Sequence, residues 1–186
     1  FEFAPNTRAR SFAIPGELAA TECDVLFIQE LYHENDARRV REALSESMPY
    51  SFISGAPRGL RLGHGLAIFS RHSLTAGEDK RFSHQLSDES IFCPKWYLRA
   101  TVLHPILGPI LLINTHTTAG GLFEHPESKK TDACRANQLA ELLQEGRNVG
   151  YSIIAGDLNC GPDVSVRNFR CFQDEGYALP ALPSEQ

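Results

Sequence analysis

The sequence predicts a layered α/β domain with helices packed on both sides of a sheet system, and three observations carry that expectation. Short apolar runs at 25–28, 66–70, 110–114 and 151–155 have strand length and little alternation, the mark of strands covered on both faces. Helical segments alternate with these runs, and hairpin-like pairs lie between them. No repeat, low-complexity stretch or linker divides the 186 residues, enough chain for one domain with a sizeable core.

Residues 8–22 are predicted helical, turning Phe12, Leu18 and Ala19 toward a core, although Pro15 and Gly16 interrupt the pattern. The strand 25–28 follows. Asn35 is the expected N-cap of a helix reaching Ser47, with Val40 and Leu44 four apart. A strand at 50–54, a Gly- and Arg-rich loop at 57–65 and the strand 66–70 come next. Residues 78–95 have no period and read as loop with short strands, whereas 96–104 alternates as a strand does. Gly108-Pro109 is a turn signal before the strand 110–114, and a long polar loop with Gly120-Gly121 spans 115–130. Residues 132–144 form an amphipathic helix whose expected inner face holds Ala133, Ala136, Leu139, Ala140 and Leu143. Arg135 and Gln138 read as its exposed face. After the strand 151–155, Asp163 is the expected cap of a short helix reaching Phe172.

Composition narrows the function classes. Hydrophobic residues make up 42% and charged residues 22%, ordinary for a globular chain, and no apolar run approaches the ~20 residues of a membrane-spanning helix. The formal charge of −5 gives no general pull toward nucleic acid or an anionic membrane. Five widely spaced cysteines contain no CxxC pair, so a thiolate zinc site is not expected. Buried free thiols are the favoured reading, with one disulfide left open. The chain starts at Phe1, its only methionine is Met48, and it shows no signal-peptide pattern. It therefore reads as processed, excised or incomplete, and gives no localisation.

The buried strands share one feature: each runs into polar groups capable of chemistry. Residues 25–28 lead to Gln29-Glu30, 110–113 to Asn114-Thr115-His116, and 153–155 to Gly156-Asp157-Leu158-Asn159. Strand ends in α/β sheets are where ligands bind. Hydrolysis of a phosphodiester needs a cation to offset its charge, a group to activate water, and donors for the transition-state oxygens. Glu30 is a hard oxygen ligand for Mg²⁺. Asp157 can orient or deprotonate water, and His116 and Asn159 can donate to the phosphoryl group. Taken singly, each has a structural reading: Glu30 as a salt-bridged strand end, His116 as a hydrogen-bonded histidine, Asp157 and Asn159 as turn-formers.

At these residues the sequence resembles the endonuclease/exonuclease/phosphatase superfamily. Asp24-Val-Leu-Phe-Ile-Gln29-Glu30 resembles its strand-plus-QE motif, and Gly65-Leu-Ala-Ile-Phe-Ser70-Arg71 its central strand. Asn114-Thr-His116 and Gly156-Asp157-Leu-Asn159 resemble its NTH and GD(F/L/M)N motifs. The resemblance implies a four-layered α/β sandwich (DNase I-like) and Mg²⁺-dependent phosphoester hydrolysis, with Mn²⁺ also admissible. It implies Glu30 as metal ligand, His116, Asp157 and Asn159 as catalytic residues, and Asn114, His116 and Asn159 in contact with substrate. Within the superfamily the sequence looks most like neutral sphingomyelinases, through Glu30-Leu-Tyr-His, Lys95-Trp-Tyr-Leu-Arg-Ala, Thr115-His-Thr-Thr-Ala and Arg135-Ala-Asn-Gln-Leu139.

Three departures shape the expectation. Members begin with a strand ending in Asn, for which Asn6 is not accepted as a substitute, and end with an Asp-His pair, whereas no histidine follows Asn159. Thr117 stands where an apolar residue is commoner. The chain is therefore expected to be a single incomplete domain, 1–186, lacking the first strand and the Asp-His segment, and inactive alone. It would also carry unpaired strand edges. The leading function is sphingomyelinase-like cleavage of a phospholipid headgroup, with peripheral membrane contact through Ile91, Phe92 and Trp96 weighed below core packing for those residues. A repair nuclease of the same superfamily is the alternative and predicts a basic rim, for which Arg58, Arg61, Arg71, Lys129 and Lys130 are candidates. An inositol-phosphate phosphatase would want a denser basic cluster near His116. A degenerate, non-catalytic binding module is the third reading.

Overall fold

A computed structural model describes residues 7–55, 63–121, 123–147 and 149–179. Asn6, Arg58 and Arg61 lie outside them. The described elements run α1 (Thr7–Ala19), β1 (Val25–Ile28), α2 (Glu34–Leu44), β2 (Tyr50–Ile53), β3 (Ala67–Ser70), β4 (Leu74–Arg81), α3 (Ser87–Phe92), β5 (Trp96–His104), β6 (Gly108–His116), α4 (Lys129–Gly146), β7 (Ser152–Asp157) and α5 (Val166–Asp174).

Two sheets form, a three-stranded one in the order β1-β3-β2 and a four-stranded one in the order β4-β5-β6-β7. All pairs are antiparallel except β6 with β7, which run parallel. Three apolar cores separate the layers. Val40, Leu44 and Met48 cover Ala67 and Phe69 on the outside of the first sheet. Leu66 and Ile68 meet Leu98, Ala100, Val102, Ile110 and Leu112 between the sheets. Leu139, Leu142, Leu143 and Phe172 cover Leu111 and Ile113 outside the second. The order helix, sheet, sheet, helix is the expected four-layered sandwich, and continuous burial on both faces explains why β3 and β6 read as unbroken apolar runs.

Several elements differ from expectation for physical reasons. Residues 78–95 are expected as loop with short strands, whereas β4 runs from Leu74 to Arg81; most of its residues are exposed and lie on an edge strand, so polar side chains are tolerated and no pattern records them. The N-cap of α2 is His33, not Asn35, whose amide oxygen instead accepts from Arg38. The cap of α5 is Ser165, not Asp163. On α4 the buried face holds Thr131, Cys134, Arg135, Gln138, Leu139, Leu142 and Leu143, while Ala133, Ala136 and Ala140 are exposed. All five cysteines are free. Burial pushes the Cys134 and Cys171 thiols up to about 11, so neither is a thiolate at neutral pH.

Among the described residues β1 and β7 are the outer strands of their sheets, and they lie against each other across the sandwich. Ile153 stands in register with Leu112, yet it is 44% exposed while Leu112 is fully buried. This flank of the inter-sheet core is therefore open. Phe69→Ala should cost ~3–5 kcal/mol in urea unfolding, whereas Ile153→Ser should cost less than about 1 kcal/mol. Equal losses would show that the flank is closed.

Candidate active site

The ends of β1, β6 and β7 come together at one end of the sandwich. β1 delivers Gln29 and Glu30 there, and Gln29 Nε2 donates to Asn114 Oδ1 on β6 at 2.6 Å. Glu30 has φ 60, a left-handed conformation that costs a residue with a side chain and that persists only where surroundings impose it. Gly65 provides part of those surroundings: it also has positive φ, and a Cβ there would stand 2.7 Å from the Tyr32 ring and 3.2 Å from Glu30 Cα. The Leu31 amide donates to the Gly65 carbonyl at 2.9 Å, which pins the turn carrying Glu30.

On the second sheet His116 pairs in register with Asp157, and His116 Nε2 lies 3.8 Å from Asp157 Oδ2. Because Leu112, Asn114 and His116 alternate with outward residues, His116 shares the face that looks into the inter-sheet space. Gly156 brings the two strands this close: a Cβ there would meet the Thr115 carbonyl at 2.0 Å. The other Asp157 oxygen, Oδ1, accepts from the Asn159 amide at 3.0 Å. Asn159 sits at φ 48, which asparagine tolerates better than most residues. Its side-chain Nδ2 donates to the Thr117 carbonyl at 3.0 Å.

Thr117, the departure from the family pattern, has a defined structural place. It is fully buried, its amide donates to the Asp157 carbonyl at 2.9 Å, and its hydroxyl donates to the Leu158 carbonyl at 2.7 Å. It thereby ties the strand end bearing His116 to the turn bearing Asp157 and Asn159. Arg135 and Gln138, expected on an exposed helix face, are instead buried beneath the same segment. Gln138 Oε1 accepts from the Thr118 amide at 2.8 Å, and Arg135 Nε donates to the Thr118 carbonyl at 3.1 Å.

Asn114 does not meet the expectation of substrate contact. It is fully buried, and its Nδ2 donates to the carbonyls of Ile28 and Ala67, both at 2.8 Å. Its amide joins the two sheets. Conversely, sequence reading assigned no role to Lys95, which is only 8% exposed. Among the described residues its ammonium has no hydrogen-bond or ion-pair partner, yet it acts electrostatically on His116, Glu89 and Cys93. A cation without an ion pair, carried on a largely buried side chain, can receive an anionic ligand. Glu89 is also buried, and desolvation raises its carboxyl above the usual range. Burial likewise raises the Tyr32 phenol, which is hydrogen-bonded to Cys93 and senses Glu30 and Asp157. A signal for Lys95 existed in principle: it is a lysine immediately before an apolar strand.

A profile of the Endonuclease/Exonuclease/phosphatase family matches residues 4–175. The chain belongs to that family. It is 27% identical over 164 residues to the inositol phosphosphingolipids phospholipase C of Schizosaccharomyces pombe, which covers 81% of this chain and 36% of the relative. Among solved structures, sphingomyelinase C from Streptomyces griseocarneus has the same fold, with a TM-score of 0.71 at 15% identity over 92% of this chain and 64% of that one. So does a Staphylococcus aureus beta toxin mutant with bound magnesium ions, with a TM-score of 0.70 at 14% identity over 87% and 62%. Within the family the chain lies close to the sphingomyelinases. It spans a little over a third of the length of the curated relatives it matches.

Among the described residues no three His, Cys, Asp or Glu side chains group together as a metal cage. The Glu30 carboxylate is exposed and makes no hydrogen bond or ion pair with a described residue. One free carboxylate at a cleft fits Mg²⁺, which takes one or two carboxylates and fills its other positions with water and phosphate. The same hard oxygen fits Mn²⁺.

His116 has its pKa lowered from 6.5 to about 4, by burial first and by Lys95 second, against the opposing pull of Asp157. The imidazole is therefore neutral at pH 7. In the metal-free protein its ring protons should titrate near pH 4 by NMR. Lys95→Met should move that midpoint up, and Asp157→Asn should move it down. Because the folded value lies below the unfolded one, the stability linked to His116 is complete above pH 6.5 and falls as pH drops toward 4. A midpoint at the ordinary histidine value would contradict this environment. Thr117→Val keeps the volume but strands the buried Leu158 carbonyl, and should destabilise by ~1–3 kcal/mol in urea; no loss would mean that the tie is dispensable.

Proposed function

We propose that this domain is a Mg²⁺-dependent phosphodiesterase of the sphingomyelinase type, which hydrolyses the headgroup bond of a phospholipid. The observation that carries the reading is the pairing of His116 with Asp157 in register on parallel strands, beside Lys95, a largely buried side chain whose ammonium has no ion pair among the described residues. One cation matches the single negative charge of a phosphodiester. Held at Glu30, the metal would supply the remaining charge neutralisation at the phosphoryl oxygens. Asp157, with one oxygen fixed by the Asn159 amide, orients and deprotonates the attacking water through the other. Neutral His116 donates an N–H to a phosphoryl oxygen. Asn159 has one amide proton on Thr117 and a second left for the transition state.

Charge placement supports lipid over nucleic acid. β1 and β3 are antiparallel, so Arg71, bonded to the Asp24 carbonyl, lies at the opposite end of the sheet from Glu30. Lys130 is paired with Glu124 at 2.7 Å. The relative that acts, by its name, on inositol phosphosphingolipids points the same way.

The test is phosphocholine release from sphingomyelin by the full gene product, with Mg²⁺ and with a chelator, beside plasmid nicking. Release should require metal, and Asp157→Asn should lower kcat by roughly 10²–10⁴-fold. Glu30→Gln should raise the Mg²⁺ concentration needed for half-maximal rate. Plasmid nicking without release would assign the protein to the nucleases instead.

A further inference from the structure

We propose that Ile91 and Phe92, at the end of α3, and Phe123, in the adjoining loop, form a docking surface for a zwitterionic lipid bilayer beside the active-site cleft. The inference rests on the phospholipid reading above. These three side chains are 56%, 54% and 84% exposed, whereas Trp96, grouped with Ile91 and Phe92 in the sequence and expected with them to pack in the core, is half-buried and stacked on His64. Core packing therefore accounts for Trp96 and not for the other three.

The rim is built on fixed groups. Asp88, itself 8% exposed, accepts from the Phe123 amide at 3.2 Å, which couples the loop to α3. Its neighbour Glu89 accepts from the Thr118 hydroxyl and the Ala119 amide in the same loop. A buried acidic pair thus holds two exposed apolar segments together.

The position is set by chain continuity. Phe92 precedes Cys93, which is bonded to Tyr32, and the Tyr32 phenol senses both Glu30 and Asp157. Lys95, three residues beyond Phe92, acts on His116. A phospholipid whose phosphate sits against His116 and Lys95 keeps its acyl chains in the bilayer, so the bilayer surface must meet what surrounds the mouth. Another exposed apolar cluster, Leu103, Ile106 and Leu107, lies at the β5–β6 turn, at the opposite end of β6 from His116, and cannot touch the same surface. Nearby charges are already engaged: Lys130 with Glu124, and Arg81 with the Ser90 carbonyl. Attachment is therefore apolar and weakly dependent on salt, as a neutral headgroup layer requires.

The test uses the full gene product and phosphatidylcholine vesicles. The tryptophan of Phe92→Trp should be quenched by bilayers with brominated acyl chains, beyond the baseline of the unmodified protein, whose Trp96 is half-buried and stacked on His64. Phe92→Ser with Phe123→Ser should weaken vesicle partitioning by about tenfold per phenylalanine. Hydrolysis of vesicle lipid should fall with it, while hydrolysis of soluble bis(p-nitrophenyl) phosphate should not change. Quenching without any lipid hydrolysis would leave the docking surface standing and remove the phospholipid reading. An unquenched reporter on vesicle-bound protein, as when another protein segment covers the rim, would overturn the inference. So would equal partitioning of the double variant.

Discussion

A single buried amide holds the two sheets in register at the end where the chemistry gathers. Asn114 Nδ2 donates to a carbonyl on each of β1 and β3, and its Oδ1 accepts from Gln29. Any of these groups left unpaired in the interior would cost ~1–3 kcal/mol. The relative position of the sheets is therefore fixed to within hydrogen-bond tolerance at this point. Glu30 follows Gln29 by one residue, and His116 follows Asn114 by two on the same face of β6. The proposed metal ligand on one sheet and the proposed phosphate donor on the other thus lie at the same end of the sandwich because one amide between them must be satisfied.

Burial then sets the charge state of the cleft. His116 and Lys95 are both largely withdrawn from water, and two adjacent cations there would repel. The imidazole yields, because its proton is the less strongly held, and it becomes a neutral donor. Lys95 remains a positive charge beside it, with no ion pair among the described residues. A cation beside a neutral imidazole that can donate is an arrangement able to receive an anion.

The sequence made the layers legible because β3 and β6 are buried on both faces and are apolar through most of their length, while β5 alternates as a strand does. It could not reveal β4, whose exposed edge position removes the constraint that creates a pattern. The inner face of α4 was misplaced for a related reason. Periodicity assigns Arg135 and Gln138 to solvent, yet both are buried because the loop after His116 presents backbone groups that need partners. Within the candidate site, Glu30, His116, Asp157 and Asn159 stand at strand ends, where spacing alone gathers them. Asn114 stands at such an end too, and only strand register separates an amide facing substrate from one facing the neighbouring sheet. Lys95 reads only as the head of a strand, because its lack of an ion pair becomes visible only once the fold is in place.

The buried polar groups under the cleft also explain why the domain gives up apolar packing there. Arg135, Gln138, Thr117, Thr118 and Glu89 occupy volume that leucine or valine could fill at lower desolvation cost. An apolar helix face would leave the backbone of the segment after His116 without partners, and the segment would have to shorten or move to solvent. Moving it would release the Thr117 carbonyl from Asn159 and the Thr117 amide from the Asp157 carbonyl. Precise placement of Asp157 and Asn159 therefore depends on residues that touch neither the cleft nor each other's charges. The left-handed backbone at Asn159 is maintained by the same contacts. Polar burial and strained backbone are two consequences of one requirement, that a turn hold a carboxylate in place without a regular element of its own.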